Sequence, residues 1–232
     1  KDKDLLFGEI DYEWIKDYQR HLIKIGNSTN TVHNNLKTIK AAYNEAVDSG
    51  VFEPEKMSPW VRHKSKKAKS SRTRLTLEQI TELENLDLRP GTNKDHARNF
   101  FLFSFYLQGM RVSDVLQLEW STIFKDRLDY KAGKTKKSSS KKIIKKAAAI
   151  LAIYRKPKQK PTNYIFPFLK DLKCSHFSPK DWLKKLKAAT SVINNELKEI
   201  APLIGVRKLT THVARHSFAE IARQKTGGNV AA

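Results

Sequence analysis

The sequence of 232 residues has one cysteine, Cys174, so neither a disulfide framework nor a multi-cysteine zinc site is expected, and a reducing compartment suits it. No apolar run approaches the ~18–20 residues that a membrane span requires, so no integral membrane protein is expected. Behind Lys1-Asp2-Lys3-Asp4 there is no apolar signal segment, which argues against secretion, and the missing initiator methionine points to a fragment or a processed form. Acids are scarce: 24 Asp+Glu stand against 45 Lys+Arg, for a net charge of +21. Apolar residues are not scarce, at 39% with 4 Trp and 11 Phe, so a core can form and full disorder is excluded. A chain of this length suits one large or two small domains of roughly 100–200 residues. The charge implies a polyanionic partner, with nucleic acid the default.

The shortage of acid is uneven. Residues 1–61 hold eight basic and ten acidic side chains, for −2, whereas residues 62–232 hold 37 and 14, for +23. The change falls at residues 62–74, which contain no acid and almost no apolar residue. This stretch reads as a solvated basic linker whose lysines, Lys66 and Lys67 among them, can lie along phosphates. The expected organisation is therefore a helical domain over 1–61, a linker over 62–74 and a second domain over 75–232.

The first domain reads as all-helical. Asp11 can cap a helix in which Trp14, Ile15, Tyr18, Leu22 and Ile25 recur at helical spacing until Gly26. Thr29 or Asn30 can cap a second helix through Val32, Leu36, Ile39, Tyr43 and Val47, ending before Gly50. Phe52 and Trp60 are available to pack beneath the hairpin. Between Tyr18 and Asn44 there is no acid at all. The polar face of the second helix carries Thr31, His33, Asn34, Lys37 and Lys40, residue types that contact phosphates and base edges. An ordinary solvated face reads the same way.

In the second domain Thr76 can cap a short helix through Ile80 and Leu83, and Phe100–Leu107 fits a helix buried on all sides that Gly109 ends. Arg111 follows at a helix–turn–helix corner, where it can hold a phosphate or simply pair with Asp114. Arg127–Lys131 alternates as a strand, Gly133 permits a turn, and Lys141–Ile144 can return as the partner strand. Eight lysines crowd residues 131–146, and most serve as generic phosphate contacts or solubility charge, as do Lys136 and Lys137. Lys134 differs in standing directly after the hairpin glycine. Helix signals resume at Ala147–Tyr154, and Ser178-Pro179 opens another helix.

Near the end, Thr210 or Thr211 can cap a helix that places His212, Arg215 and His216 on one face. A zinc-protease motif would need Glu where Val213 stands, and no third ligand accompanies the histidines, so no metal is expected. Phosphate chemistry fits this face better.

Three segments together resemble the tyrosine recombinases of phage-integrase type. Gly109-Met110-Arg111-Val112-Ser113-Asp114-Val115-Leu116-Gln117-Leu118 is similar to their first catalytic box, Gly133-Lys134-Thr135 sits where their hairpin lysine is expected, and His212-Val213-Ala214-Arg215-His216 matches their His-x-x-Arg-His box. Residues 1–61 are similar to the helical core-binding domain that precedes such catalytic domains. The resemblance implies a mainly α fold with a small β-sheet or hairpin, a core-binding domain leading into an α+β catalytic domain. It also implies a site-specific integrase that binds double-stranded DNA and works through a 3′-phosphotyrosyl intermediate, without cofactor or metal. In that chemistry Arg111 and Arg215 neutralise the phosphate, His212 donates a hydrogen bond or shuttles a proton, and Lys134 protonates the leaving 5′-oxygen. Asp114 and His216 support them.

The "Lys-Thr" hairpin and the layout look most like integrases of bacterial conjugative or transposable elements, which implies a cytoplasmic, nucleoid-associated enzyme. Two protomers per site and four in the synapse are implied. The family's nucleophilic tyrosine lies downstream of the His-x-x-Arg box, and none of the 17 residues after Arg215 is tyrosine. No nucleophile is assigned among these residues, and the chain as it stands is expected to bind DNA without cleaving it. The rival expectation is a non-enzymatic DNA-binding protein with a decayed integrase fold.

Overall fold

A computed structural model describes residues 4–55, 57–64, 67–68, 72–133 and 135–227. Lys66 and Lys134 therefore lie outside the described residues. The chain divides into two compact units, Lys1–Ser71 and Arg72–Ala232, with the division inside the basic stretch.

In the first unit, α1 (Tyr12–Lys24) starts where the Asp11 carboxylate accepts the Trp14 N–H at 2.7 Å. Helix α2 (Thr29–Asp48) is capped one residue earlier than its sequence suggests. Ser28 is extended, and its hydroxyl accepts the Thr31 N–H at 3.2 Å, which makes Thr29 the first helical residue. Ile15, Leu22, Val32, Leu36 and Tyr43 from the two helices close around Trp60, with Phe7 and Phe52 packed against them. Within each helix these positions recur at spacings of four and seven, so the pattern that makes each helix amphipathic also makes the hairpin's core.

The second unit is built on α4 (Asn93–Tyr106), preceded by α3 (Leu77–Asn85). Phe100, Phe101 and Phe103 are fully buried, and Phe166 meets Phe100 and Phe103 edge-to-face at ring centroid distances of 5.1 and 5.3 Å. The short α5 (Val112–Leu116) follows, then a sheet, then α6 (Lys145–Tyr154), α7 (Pro179–Ile200) and α8 (Thr211–Lys225). The architecture is mainly helical with one small antiparallel sheet.

The sheet differs from the expected hairpin in two ways. It has a third strand, β1 (Ile123–Phe124), paired to β2 (Arg127–Lys131), and the return strand β3 spans Ser138–Lys142 rather than Lys141–Ile144. Leu128, fully buried, sits opposite Lys141, which sets the register three residues earlier along the chain. Three serines in a row carry little strand propensity, so β3 is defined by pairing with β2 and not by its own side chains. Ile144 instead becomes the N-cap residue of α6.

The start of α8 is also held differently. Thr210 occupies the N-cap position without a side-chain bond, and Asn194 of α7 supplies the acceptor, taking the Thr211 N–H at 2.9 Å. On the same helix, Ser217 is fully buried and its hydroxyl accepts the Leu75 N–H at 2.7 Å, tying the first residues of the unit to α8. Ser217→Ala should destabilise the unit by about 1–3 kcal/mol, because the buried Leu75 N–H would be left without a partner. The measurement is the urea midpoint, and an unchanged midpoint would show that another acceptor takes over.

Candidate active site

The three boxes named from the sequence converge through backbone carbonyls, N–H groups and one carboxylate. Helix α4 ends at Tyr106, and the chain turns through Gln108 and Gly109, both with left-handed backbones at φ 60° and 65°. Met110 is pinned to α4 at both ends: its N–H donates to the Ser104 carbonyl at 3.1 Å, and its own carbonyl accepts the Ser104 hydroxyl at 2.7 Å. Arg111 is then the N-cap residue of α5, half-buried, with no carboxylate within ion-pairing distance among the described residues.

Asp114 does not pair with Arg111. Its buried carboxylate accepts the Gly133 N–H at 3.1 Å, one residue before Lys134. A Cβ on Gly133 would come within 3.1 Å of the same oxygen, so any larger residue there would require the carboxylate to give by a few tenths of an ångström. Asp114 thus orients the hairpin, a role that residue spacing along α5 could not reveal.

The second junction joins the Arg111 box to α8. Arg215 Nη1 donates to the Gly109 carbonyl at 3.0 Å. A Cβ built on Gly109 would stand 2.7 Å from the Arg215 Cα, so α8 can lie this close only over a glycine. Along α8, Val213, Ala214 and Ser217 are buried whereas His212 and Arg215 are exposed and His216 is half-buried. The expected face is therefore presented outward, beside the turn that leads into Arg111.

Cationic side chains crowd this cluster. His216 is held below the ordinary histidine range first by burial, then by Arg72, His212, Arg74 and Arg215 around it. Arg74 is 3.7 Å from Glu220, while Arg215 donates to a neutral carbonyl and pairs with no carboxylate among the described residues. Lys141 is pushed below the ordinary lysine range by burial and by the charge of Arg215, and its Nζ donates to the Gln108 side chain at 2.7 Å. The sequence had grouped Lys141 with the other hairpin lysines; only the register, which faces it inward with Ser139, sets it apart.

Of the seven tyrosines, four lie in the second unit, and among the described residues no hydrogen bond joins any of these four to the cluster. Tyr154 is buried against Asn99 and His96, and burial pushes its phenol well above the ordinary range. The Tyr106 hydroxyl is buried without a hydrogen-bond partner, Tyr130 lies on β2, and Tyr164 bridges to Glu119. Tyr12, Tyr18 and Tyr43 belong to the first unit. A cavity of about 860 Å³ in the second unit is lined by His96, Tyr154, Tyr164 and His176 and contains none of the residues of the three boxes.

In the first unit, Asn34, Lys37 and Lys40 are exposed on α2, and His33 is half-buried. The Thr31 hydroxyl is 2.9 Å from that of Ser28 and so belongs to the helix cap. Lys67, Lys136 and Lys137 are exposed, with Lys136 in a left-handed turn.

Residues 73–226 match the model of the phage integrase family, and residues 1–82 match that of the phage integrase SAM-like domain. The chain belongs to the phage integrase family of tyrosine recombinases. Its fold is that of solved integrases. One is a lambda integrase dimer bound to a COC′ core site, at a TM-score of 0.63 and 15% identity, covering 97% of this chain and 75% of that one. Another is a lambda integrase tetramer bound to a Holliday junction, at 0.60 and 16%, covering 97% and 62%. A third lambda integrase bound to DNA matches at 0.59 and 14%, covering 92% and 72%. No curated protein sequence matches the chain. No helix among the described residues of this integrase is long and apolar enough to cross a membrane.

Proposed function

We propose that this integrase chain binds duplex DNA and belongs to an enzyme that cuts and rejoins it through a 3′-phosphotyrosyl intermediate. The observation that carries the reading is the docking of Arg215 on the Gly109 carbonyl, two residues before Arg111. It supports the reading because it sets Arg215 against the turn that leads into Arg111, and among the described residues neither arginine pairs with a carboxylate.

Attack by a tyrosine oxygen on the phosphodiester places negative charge on the two non-bridging oxygens, which Arg111 and Arg215 neutralise. The P–O5′ bond breaks as the P–O(Tyr) bond forms. Lys134 supplies the proton to the departing 5′-oxygen, since an arginine there would hold its proton too tightly. His212 bonds the same phosphate or takes the tyrosine proton. Asp114 sets the hairpin through Gly133, and His216, its charged form disfavoured by burial and the cations around it, supports α8. Reversal with a 5′-hydroxyl as nucleophile rejoins the strands, and no cofactor enters. The nucleophile is a tyrosine other than the seven in this chain, so residues 1–232 bind without cleaving.

Asn34, Lys37 and Lys40 on α2, together with His33 and the Ser28–Thr31 cap, face the duplex. Lys66, Lys67, Lys136 and Lys137 contribute the salt-dependent phosphate contacts. The lambda integrase complexes, a dimer on a core site and a tetramer on a junction, support the same stoichiometry here. A bacterial mobile element and a nucleoid location complete the reading.

The test is a nicked suicide substrate incubated with the protein expressed from its complete reading frame. A covalent protein–DNA adduct that survives denaturation and is removed by protease is expected. Duplex binding with no adduct would sink the recombinase reading and favour a decayed integrase that only binds DNA.

A further inference from the structure

One lysine of the second unit behaves unlike its neighbours. Lys131, Lys136, Lys137, Lys142, Lys145 and Lys146 are exposed, but Lys141 is half-buried, opposite the fully buried Leu128. Its stem follows the apolar side of the sheet while its ammonium donates to the Gln108 side-chain oxygen at 2.7 Å, 33 residues away in sequence. No carboxylate pairs with Lys141 among the described residues.

Gln108 is itself unusual. It is a non-glycine residue in the left-handed region, at φ 60°, immediately before Gly109 at φ 65°. Such a backbone persists only where the surroundings over-determine it. The surroundings here are the Lys141 bond on one side and the Gly109–Arg215 contact on the other. A single line of contacts therefore runs from β3 through the Gln108 side chain and the Gly109 carbonyl to the Arg215 guanidinium.

We propose that Lys141 is a positioning residue for the reaction: by holding Gln108, it fixes the turn whose Gly109 carbonyl aims Arg215 at the scissile phosphate. This rests on the recombinase reading above and adds to it a second hairpin lysine with a role distinct from Lys134. Lys141 acts through another residue and does not need to transfer its proton, so the requirement is a donor of the right reach. The unneutralised neighbourhood of Lys141 and Arg215 fits the same picture, because two cations without an anion between them are stabilised when a phosphate arrives. That arrival would be the moment at which the aim of Arg215 matters.

The experiment uses the protein from its complete reading frame, with duplex affinity, adduct formation rate on a suicide substrate and melting temperature all measured. Lys141→Met and Gln108→Leu should each slow adduct formation by about tenfold or more, the cost of a misplaced transition-state contact, with melting temperature and affinity close to those of the parent. The double variant should be no slower than either single one, since both break one link. Lys141→Arg should recover most of the rate, which a role as proton donor does not allow. Parent-like cleavage by Lys141→Met overturns the inference, as does an additive double variant or a Lys141→Arg protein as slow as Lys141→Met. A parent that binds DNA but forms no adduct overturns the recombinase reading and this inference with it, so the two failures are told apart by the parent alone.

Discussion

Arg215→Ala, in the protein from its complete reading frame, should lower adduct formation by about 10²–10³-fold, the range expected when one preorganised donor to a developing oxyanion is removed. Duplex affinity should fall only a few-fold, because one phosphate contact among many is lost. The structure explains why the two effects separate. Arg215 is exposed, and alanine keeps the Cα and Cβ that pack over Gly109, so α8 is not disturbed. What disappears is a guanidinium with one N–H spent on a neutral carbonyl and the rest free for phosphate. Its charge is not neutralised by any carboxylate among the described residues. Equal losses in binding and cleavage would mean that Arg215 only holds the turn. Arg215→Lys should recover little, since a point charge cannot span two oxygens in the plane of a fork.

The geometry also shows which parts of the site could be read from residue order. Helix signals were strong wherever a cap and an apolar period coincided, as at Asp11, Thr76 and Ser178, each of which accepts the N–H three residues on. The Phe-rich stretch before Gly109 is buried as its density implied. Local patterns failed where a partner distant in sequence decides the structure. Strand β3 contributes only serines and lysines, and Leu128 sets its register from the other strand. Helix α8 is capped by Asn194, 17 residues earlier, and not by its own threonines.

The same division runs through the site. Arg111, His212, Arg215 and His216 stand in segments that together resemble the family's boxes, and that resemblance is what nominates them. Asp114, three residues on, is an available partner for Arg111 in the sequence, yet its carboxylate accepts the Gly133 N–H of the hairpin instead. Gln108 and Lys141 gain significance only when β3 is laid beside the turn after α4. Catalytic side chains carry their chemistry in their identity, whereas positioning residues carry theirs in contacts.

Gly109 joins both kinds of requirement, and Gly109→Ala should be severe. Its φ of 65° costs an L-residue about 1–2 kcal/mol. A Cβ would also stand 2.7 Å from the Arg215 Cα, a backbone atom of α8 that cannot rotate away. Relieving that overlap requires α8 or the turn to move, which adds about 1–3 kcal/mol of overpacking. Gly205 provides the comparison: it is left-handed at φ 63°, but nothing lies within 4 Å of a Cβ built there. Gly205→Ala should therefore show the conformational cost alone, a loss of about 1–2 kcal/mol with adduct formation unchanged. Gly109→Ala should lose more stability and, in the molecules that remain folded, most of the cleavage rate, because the displaced backbone is the one that carries Arg215. Urea denaturation gives the first quantity, and adduct formation at a temperature where both variants are folded gives the second. If the two alanine variants unfold at the same midpoint and cleave equally well, the close approach of α8 to Gly109 is not what aims the guanidinium.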